Sequence, residues 1–569
     1  MNTRNLLMVA LAFLASTTPI SATRIAFDRA PSYAAQIINP GVSLNQQISS
    51  SSLNSTISSL TNGGQFVISK AGRYFLSTDL LAAPAVQVPC IYINASDVVL
   101  DLGGKTVTLS STTVQKNGAA ISIANGMSDI TIMNGTINGR AGTSSVYTST
   151  GILFGTSVSN VLLDNVHVVN FSYDGIAFGA GCSDTVINNV HTYNIGFGAK
   201  SFSRGLAIVG TNATTTACND FTIIDSDFNK TNFSGLDMRV YGIYASYCNN
   251  LTINNVKISN TTGTTGAVRG LLLDNCTSVM CNNVSVLRAT SGATSAPVIV
   301  GFDLATTTAS SFVDCVANSG LSTNSTTSTY GFRLASSSNG NSFVNCQARN
   351  NLGAGTTAGV SLDTSHYNTF QGCSIIANGG LSHLTYGFQS GLNSAVSGTD
   401  LTKTCSGTTF KSCRVNSNIA TAGNTFGFSL SADSGAIIQE CEIKANASSG
   451  TCFGIALHHT GVKNIVEYNK IYSNTGTIGR YGFKDFAHDS TTFLRGNVAF
   501  GHGATFVGGS SLITDSTVGM NYFLQYTEAA GQMNIQFLIK EGDVANMNAF
   551  EAGTPTWFNF SVLHNSIAG

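Results

Sequence analysis

A tetrapeptide of the form glycine-apolar-any-apolar returns along this chain at a nearly constant interval, and that return narrows the possible folds more than any other feature. It reads Gly151-Ile152-Leu153-Phe154, Gly175-Ile176-Ala177-Phe178, Gly205-Leu206-Ala207-Ile208, Gly270-Leu271-Leu272-Leu273, Gly301-Phe302-Asp303-Leu304, Gly331-Phe332-Arg333-Leu334, Gly359-Val360-Ser361-Leu362, Gly427-Phe428-Ser429-Leu430 and Gly454-Ile455-Ala456-Leu457. Weaker copies start at Gly242, Gly387 and Gly482. Successive glycines are 24, 30, 37, 28, 31, 30, 28, 28, 40, 27 and 28 residues apart, so most steps fall near 28 and the longer ones read as loop insertions. Self-similarity on this scale marks a solenoid, in which each unit buries its apolar face only by stacking on its neighbours.

About ten residues after each glycine comes a second apolar segment followed by Asn or Cys, as in Val161 to Val166, Leu251 to Val256, Phe312 to Val316, Phe343 to Cys346 and Phe410 to Cys413. Alternation at period two within these segments predicts short strands, and the gaps leave no room for a helical crossover. Leucine-rich repeats would need a stricter, shorter period, and propeller blades four strands in roughly 40 residues. The expected fold is therefore all-β: a right-handed, single-stranded parallel β-helix of about a dozen coils with N- and C-terminal caps.

Stacked coils turn sequence periodicity into columns. Asn165, Asn189, Asn255 and Asn283 are expected to form an internal amide ladder, with Cys315, Cys346, Cys373, Cys413 and Cys441 continuing that column as buried thiols. Thirteen cysteines leave at least one unpaired, and side chains stacked in parallel have poor torsion for bridging. Mostly reduced core thiols are the expectation. No paired Cys-x-x-Cys pattern is present, and neither a metal nor another cofactor is expected.

At this point the chain resembles the pectin-lyase-like superfamily of right-handed parallel β-helices. Gly72 to Ser77, Ile91 to Ile93 and the segment Asp97-Val98-Val99-Leu100-Asp101-Leu102-Gly103-Gly104-Lys105-Thr106-Val107 look like the first coils of bacterial members. The likeness spans about residues 63 to 505. It implies the fold and leaves the activity open, because lyases, hydrolases, adhesins and tailspikes share that architecture.

The ends read differently. Met1 to Ala22 carries Arg4 and the apolar run Leu6 to Ala15, too short to span a bilayer, and ends in an acceptable cleavage site, so residues 1–22 are expected to be a signal peptide and the protein to be exported. Residues 23–62 are expected to be a cap or linker containing a short amphipathic helix within Ser43 to Leu60. Residues 506–569, with Trp557, Tyr522, Phe523, Phe537 and Phe558, are expected to be a cap or an attachment element. No run later in the chain is long and apolar enough to span a membrane. Net charge is −1 with 10% charged residues, which leaves no basic footprint for nucleic acid.

The resemblance implies that the middle residue of each glycine motif faces outward on a sheet that floors a substrate cleft in enzymes of the superfamily. That column is mostly neutral, with Asp303 and Arg333 as a surface ion pair one coil apart. Elimination would need a base beside a carboxylate cluster or metal, and hydrolysis two facing carboxylates. Neither is visible in the column, and of the polygalacturonase motifs only Gly501-His502-Gly503 is present.

The remaining patch lies in early coils. His167 and His191 occupy equivalent positions and are expected to stack. Asp174, Arg204, Tyr241 and Arg269 stand just before repeat glycines, with Asp237 and Arg239 close by. Asp174, Arg204, His167 and His191 are the candidates for catalysis; Asp237, Arg239, Tyr241 and Arg269 are those for ligand contact; solvated turn residues are the plain alternative. Tyr330, Tyr386, Phe426, Phe453 and Tyr481 are expected to stack internally. The chain thus reads as a surface-associated or glycan-binding scaffold whose partner is a polysaccharide or cell-surface glycan. A polysaccharide lyase or glycoside hydrolase acting through the early-coil patch is the competing reading.

Overall fold

A computed structural model of the chain describes residues 54–57, 66–82, 88–109, 118–139, 149–196, 202–212, 216–232, 239–264, 266–291, 298–318, 320–322, 327–380, 384–391, 404–431, 433–458, 463–485, 493–495, 497–500, 521–526, 532–539 and 556–563. The chain divides into two compact units between Leu53 and Asn54, and every described residue belongs to the second. Asp237, the segment 1–53 and the Gly501-His502-Gly503 tripeptide lie outside the described residues.

The described residues build a right-handed parallel β-helix with no helical element. The glycine motifs form one wall, a parallel sheet of fifteen strands running from Phe66–Ile68 to Gly479–Asp485. Its three earliest strands, Phe66–Ile68, Ile91–Ile93 and Gly118–Ile123, precede the first motif at Gly151, which is why the sheet has more rungs than the sequence has motif copies. The other described strands form a thirty-stranded sheet folded into two walls, a narrow ladder of two-residue strands from Thr262–Gly263 to Thr475–Gly476, and a two-stranded sheet of Cys405–Ser406 and Asp433–Ser434.

The wall glycines are required by space and not by backbone angle. A Cβ at Gly270 would lie 2.1 Å from Val286 Cγ1, at Gly359 2.2 Å from Ile375 Cγ2, and at Gly151 2.4 Å from the carbonyl of Gly175 on the next coil. Each glycine therefore points inward, as does the residue after it. Leu206, Ile208, Leu271, Leu273, Phe332 and Leu334, one and three places after their glycines, all belong to the interior cluster. Two consecutive inward residues break the alternation in the manner of a bulge. The residue before each glycine and the one two places after it consequently share the outer face.

Where the other two walls meet, one residue per coil adopts a left-handed conformation: φ is 58° at Asn134, 52° at Asn165, 50° at Asn189, 53° at Asn255, 52° at Asn283, 52° at Asp314 and 54° at Asn345. Asn and Asp tolerate that region best. The amides do form a ladder, Asn165 Nδ2 donating to Asn134 Oδ1 at 3.2 Å and Asn189 Nδ2 to Asn165 Oδ1 at 3.2 Å. It is external: Asn165, Asn255 and Asn283 are exposed and Asn189 is half-buried. Cys315, Cys346, Cys373, Cys413 and Cys441 do not continue it. They occupy the next column inward, following Val256 and Val284, because a one-residue step along a strand changes the face.

Each thiol in that column also makes a polar contact. Cys346 Sγ donates to Phe312 O at 3.4 Å, Cys373 Sγ to Phe343 O at 3.5 Å and Cys413 Sγ to Phe370 O at 3.4 Å. Asn469 and Asn497 then take over, Nδ2 reaching Ile438 O at 2.9 Å and Val466 O at 2.7 Å. All thirteen cysteines are buried and unpaired. The internal amide ladder is a different set, Asn351, Asn378, Asn418, Asn446 and Asn474, each of the first four donating Nδ2 to the next Oδ1 over 2.8 to 3.1 Å.

At the N-terminal end, Asn54–Ile57 is a strand paired in parallel with Arg73 to Leu76, so the helix expected within Ser43 to Leu60 is corrected over these residues. Pairing to a neighbouring coil overrides the weak amphipathic pattern there. At the other end Val498 pairs in parallel with Tyr522, after which Asn521–Tyr526, Gln532–Ile539 and Thr556–Leu563 pair antiparallel.

Candidate functional site

The outer face of the glycine wall carries one continuous polar and aromatic chain of contacts across successive rungs. Asp174 and Arg204 are rung partners and form a bidentate pair, Arg204 Nε to Oδ1 and Nη2 to Oδ2 both at 2.7 Å. The Arg204 guanidinium also lies over the rings of Tyr173, Tyr244 and Phe202, at 5.4, 5.6 and 5.9 Å from their centroids. Tyr244 stacks on Tyr241 with centroids 5.2 Å apart. Arg269 lies over Tyr241 at 5.7 Å and donates to its hydroxyl at 3.4 Å. Beyond it, Asp303 is gripped by Arg269 on one side and by Arg333 on the other, the latter through Nε at 2.8 Å and Nη2 at 2.9 Å.

Both carboxylates sit beneath these guanidiniums: Asp174 is 2% and Asp303 0% exposed. This corrects two expectations. Asp303 is buried beneath a half-buried Arg333 and not part of an exposed surface pair, and Asp174, Arg204, Tyr241 and Arg269 are packed strand residues and not solvated turn residues. The cause is the bulge at the glycine, which sends the preceding residue and the motif's middle residue to the same side. Burial works against the guanidinium charges of Arg204 and Arg333, and the facing carboxylates Asp174 and Asp303 outweigh it and hold both above the ordinary arginine range. Burial raises the Tyr241 hydroxyl, against the pull of Arg269 and Arg239. Arg239 is exposed, at the start of the strand Arg239–Ser246.

His167 and His191 are not part of this patch. They are rung partners on a different wall, separated from Asp174 and Arg204 in the chain by turns at Asn170 and Asn194, with φ of 63° and 57°. Their rings stack at 4.9 Å and 16°. The structure therefore gathers Asp174, Arg204, Tyr241 and Arg269, adds Tyr173, Phe202, Tyr244, Asp303 and Arg333, and leaves the two histidines elsewhere. Phe202 and Tyr173 escaped sequence reasoning; Asp303 and Arg333 were legible there as an outward-facing pair, but not as members of this patch.

Farther along the same face the charges give way to rings. Tyr386 stacks on Phe426 at 5.0 Å, Phe426 on Phe453 at 4.8 Å and Phe453 on Tyr481 at 5.2 Å. Together with Ala358 and Ala456 they form a buried apolar cluster separate from the interior one. The stack is thus on the outer side of the wall, while the interior has its own phenylalanine stack through Phe312, Phe343 and Phe370.

Stacked parallel strands, the left-handed asparagine corner and a glycine wall define a parallel β-helix protein. Among solved structures the chain is similar to the periplasmic alginate epimerase AlgG (12% identity over 75% of this chain and 79% of that one, TM-score 0.35). It is also similar to PfbA, a surface adhesin of Streptococcus pneumoniae (11%, 84% and 90%, 0.33), and to the catalytic unit of an alpha-1,3-glucanase from Streptomyces thermodiastaticus (11%, 57% and 57%, 0.35). Such distant likenesses add nothing to the strand pairing, which alone defines the fold. No family model matches the chain, and no curated protein matches it.

Proposed function

We propose that the protein is an exported β-helix scaffold that binds a glycan along the outer face of the glycine wall, at Tyr173, Phe202, Arg204, Arg239 and Tyr244. One observation supports this reading above all: the acids of the patch, Asp174 and Asp303, are spent on neighbouring guanidiniums under near-complete burial. A carboxylate in that state is poorly placed to move a proton, whereas half-buried Tyr173, Phe202 and Tyr244, grouped around the Arg204 guanidinium, and the exposed Arg239 present an aromatic and cationic surface to hydroxyl or carboxylate groups. Export rests on the residues of 1–22 and surface association on the scaffold character of the fold.

The test is a panel of neutral and acidic polysaccharides incubated with the purified mature protein, following retention together with new unsaturated and reducing ends. Binding that falls at least tenfold in Phe202→Ala and Tyr244→Ala, without new chain ends, supports the reading. Turnover that disappears in Asp174→Ala or Arg204→Ala would replace it with a polysaccharide lyase or glycosidase working through the same patch.

A further inference from the structure

The stacked histidines on the second wall are unused by the glycan reading, and their surroundings carry a separate inference. One outward column there runs His167, His191, Asp227 and Lys257 on four successive rungs. The flanking positions Val166, Val190, Val168 and Phe228 are buried in the interior, so the two imidazoles are held at fixed points on a rigid sheet. His167 is exposed and His191 half-buried, and ring planes 16° apart with centroids 4.9 Å apart present the two rings side by side.

One contact fixes the orientation of the His191 ring. The His191 ring nitrogen Nε2 lies 3.1 Å from Asn189 Oδ1; an amide oxygen only accepts, so this contact places the proton on Nε2 and leaves the Nδ1 lone pair free. Asn189 thus takes the outer-shell place beside that ring, and Asp227, on the rung after His191, pairs with Lys257 at 4.0 Å.

We propose that His167 and His191 form a two-imidazole site for a borderline transition-metal dication. Cu2+ is favoured by the general affinity order for nitrogen ligands, with Zn2+ weaker. Bonds of about 2.0–2.1 Å to each nitrogen need the two nitrogens within about 4 Å of each other with their in-plane lone pairs converging, so the stacked rings, 4.9 Å apart at their centroids, must turn about their side-chain bonds to close on a cation. No three His, Cys, Asp or Glu donors converge among the described residues, so water completes the coordination.

The experiment is titration of the full-length mature protein, free of any added histidine tag, with CuSO4, read by electron paramagnetic resonance, and with ZnCl2, read by calorimetry. The expected Cu2+ spectrum shows coupling to two imidazole nitrogens. His167→Gln and His191→Gln each lower affinity at least tenfold and reduce the coupling to one nitrogen, with an unchanged thermal midpoint showing that the wall is intact. Absence of binding by the unaltered protein, or a two-nitrogen spectrum that survives in the double His167→Gln, His191→Gln variant, overturns the site. Either result leaves the glycan reading untouched, because that reading rests on another wall.

Discussion

Arg204 and Asp174 share two parallel hydrogen bonds of 2.7 Å on adjacent rungs, with the carboxylate 2% exposed. A pair this buried is far more sensitive to losing one member than both. Arg204→Ala is expected to destabilise the protein by about 3–5 kcal/mol, because it strands a dry carboxylate, while Asp174→Leu combined with Arg204→Met stays within about 1–2 kcal/mol of the original. Equilibrium unfolding of the single and double variants checks this; equal losses in both would mean the pair is not electrostatically isolated.

The wall glycines differ in kind from the turn glycines. Gly359→Ala places a methyl 2.2 Å from Ile375 Cγ2 and should cost about 1–3 kcal/mol through overpacking. Gly340 has φ of +65° and open space around its Cβ position, so Gly340→Ala should cost only the left-handed penalty of roughly 1 kcal/mol. Thermal midpoints of the two variants separate crowding from backbone preference.

Asp433 occupies a corner column otherwise filled by donors. Cys276 Sγ, Thr307 Oγ1 and Ser338 Oγ donate to backbone carbonyls at 3.5, 3.0 and 3.0 Å, and Asp433 pairs with Cys405 at the end of that series. Burial pushes its carboxyl up to about 7, against the hydrogen bonds of Ser390 and Thr408. The folded-state value therefore exceeds the unfolded one. Its contribution to stability is complete below the unfolded value near 3.9 and declines as pH rises toward about 7, by on the order of 1.4 kcal/mol per pH unit. Unfolding free energies across that window should show this slope, and Asp433→Asn should remove it; an unchanged slope in the variant would place the titration elsewhere.

The thiols should be silent in the native state. All thirteen are buried, and burial pushes Cys90, Cys182, Cys276 and Cys452 up to about 12, far from the thiolate form that reacts. Ellman's reagent at mildly alkaline pH is expected to label essentially none until denaturant is added, and then all thirteen. Rapid labelling of the folded protein would contradict the packing of the cysteine columns.

The parallel β-helix, its repeat and the identity of most columns were legible in the sequence, because stacking converts a repeat of about 28 residues directly into vertical alignment. Which face a column occupies was legible only in part: the motif's middle residue faces outward and the thiols are buried as expected, but the asparagine ladder lies outside. Inside and outside alternate at period two only in an unbroken strand, and two local features break the count. Inward-pointing wall glycines put Tyr241 and Tyr244, Arg269 and Asp303 on one side, and the left-handed corner at Asn165 and Asn189 puts the amide ladder outside and the thiols inside. Glycine and asparagine permit these breaks without dictating them. The glycine break follows from how closely the opposite wall approaches, a distance set by residues such as Val286 and Ile375 that only the folded coil brings near. The same reason parts His167 from Asp174: seven positions apart in the chain, they are sent to different walls by the turn at Asn170.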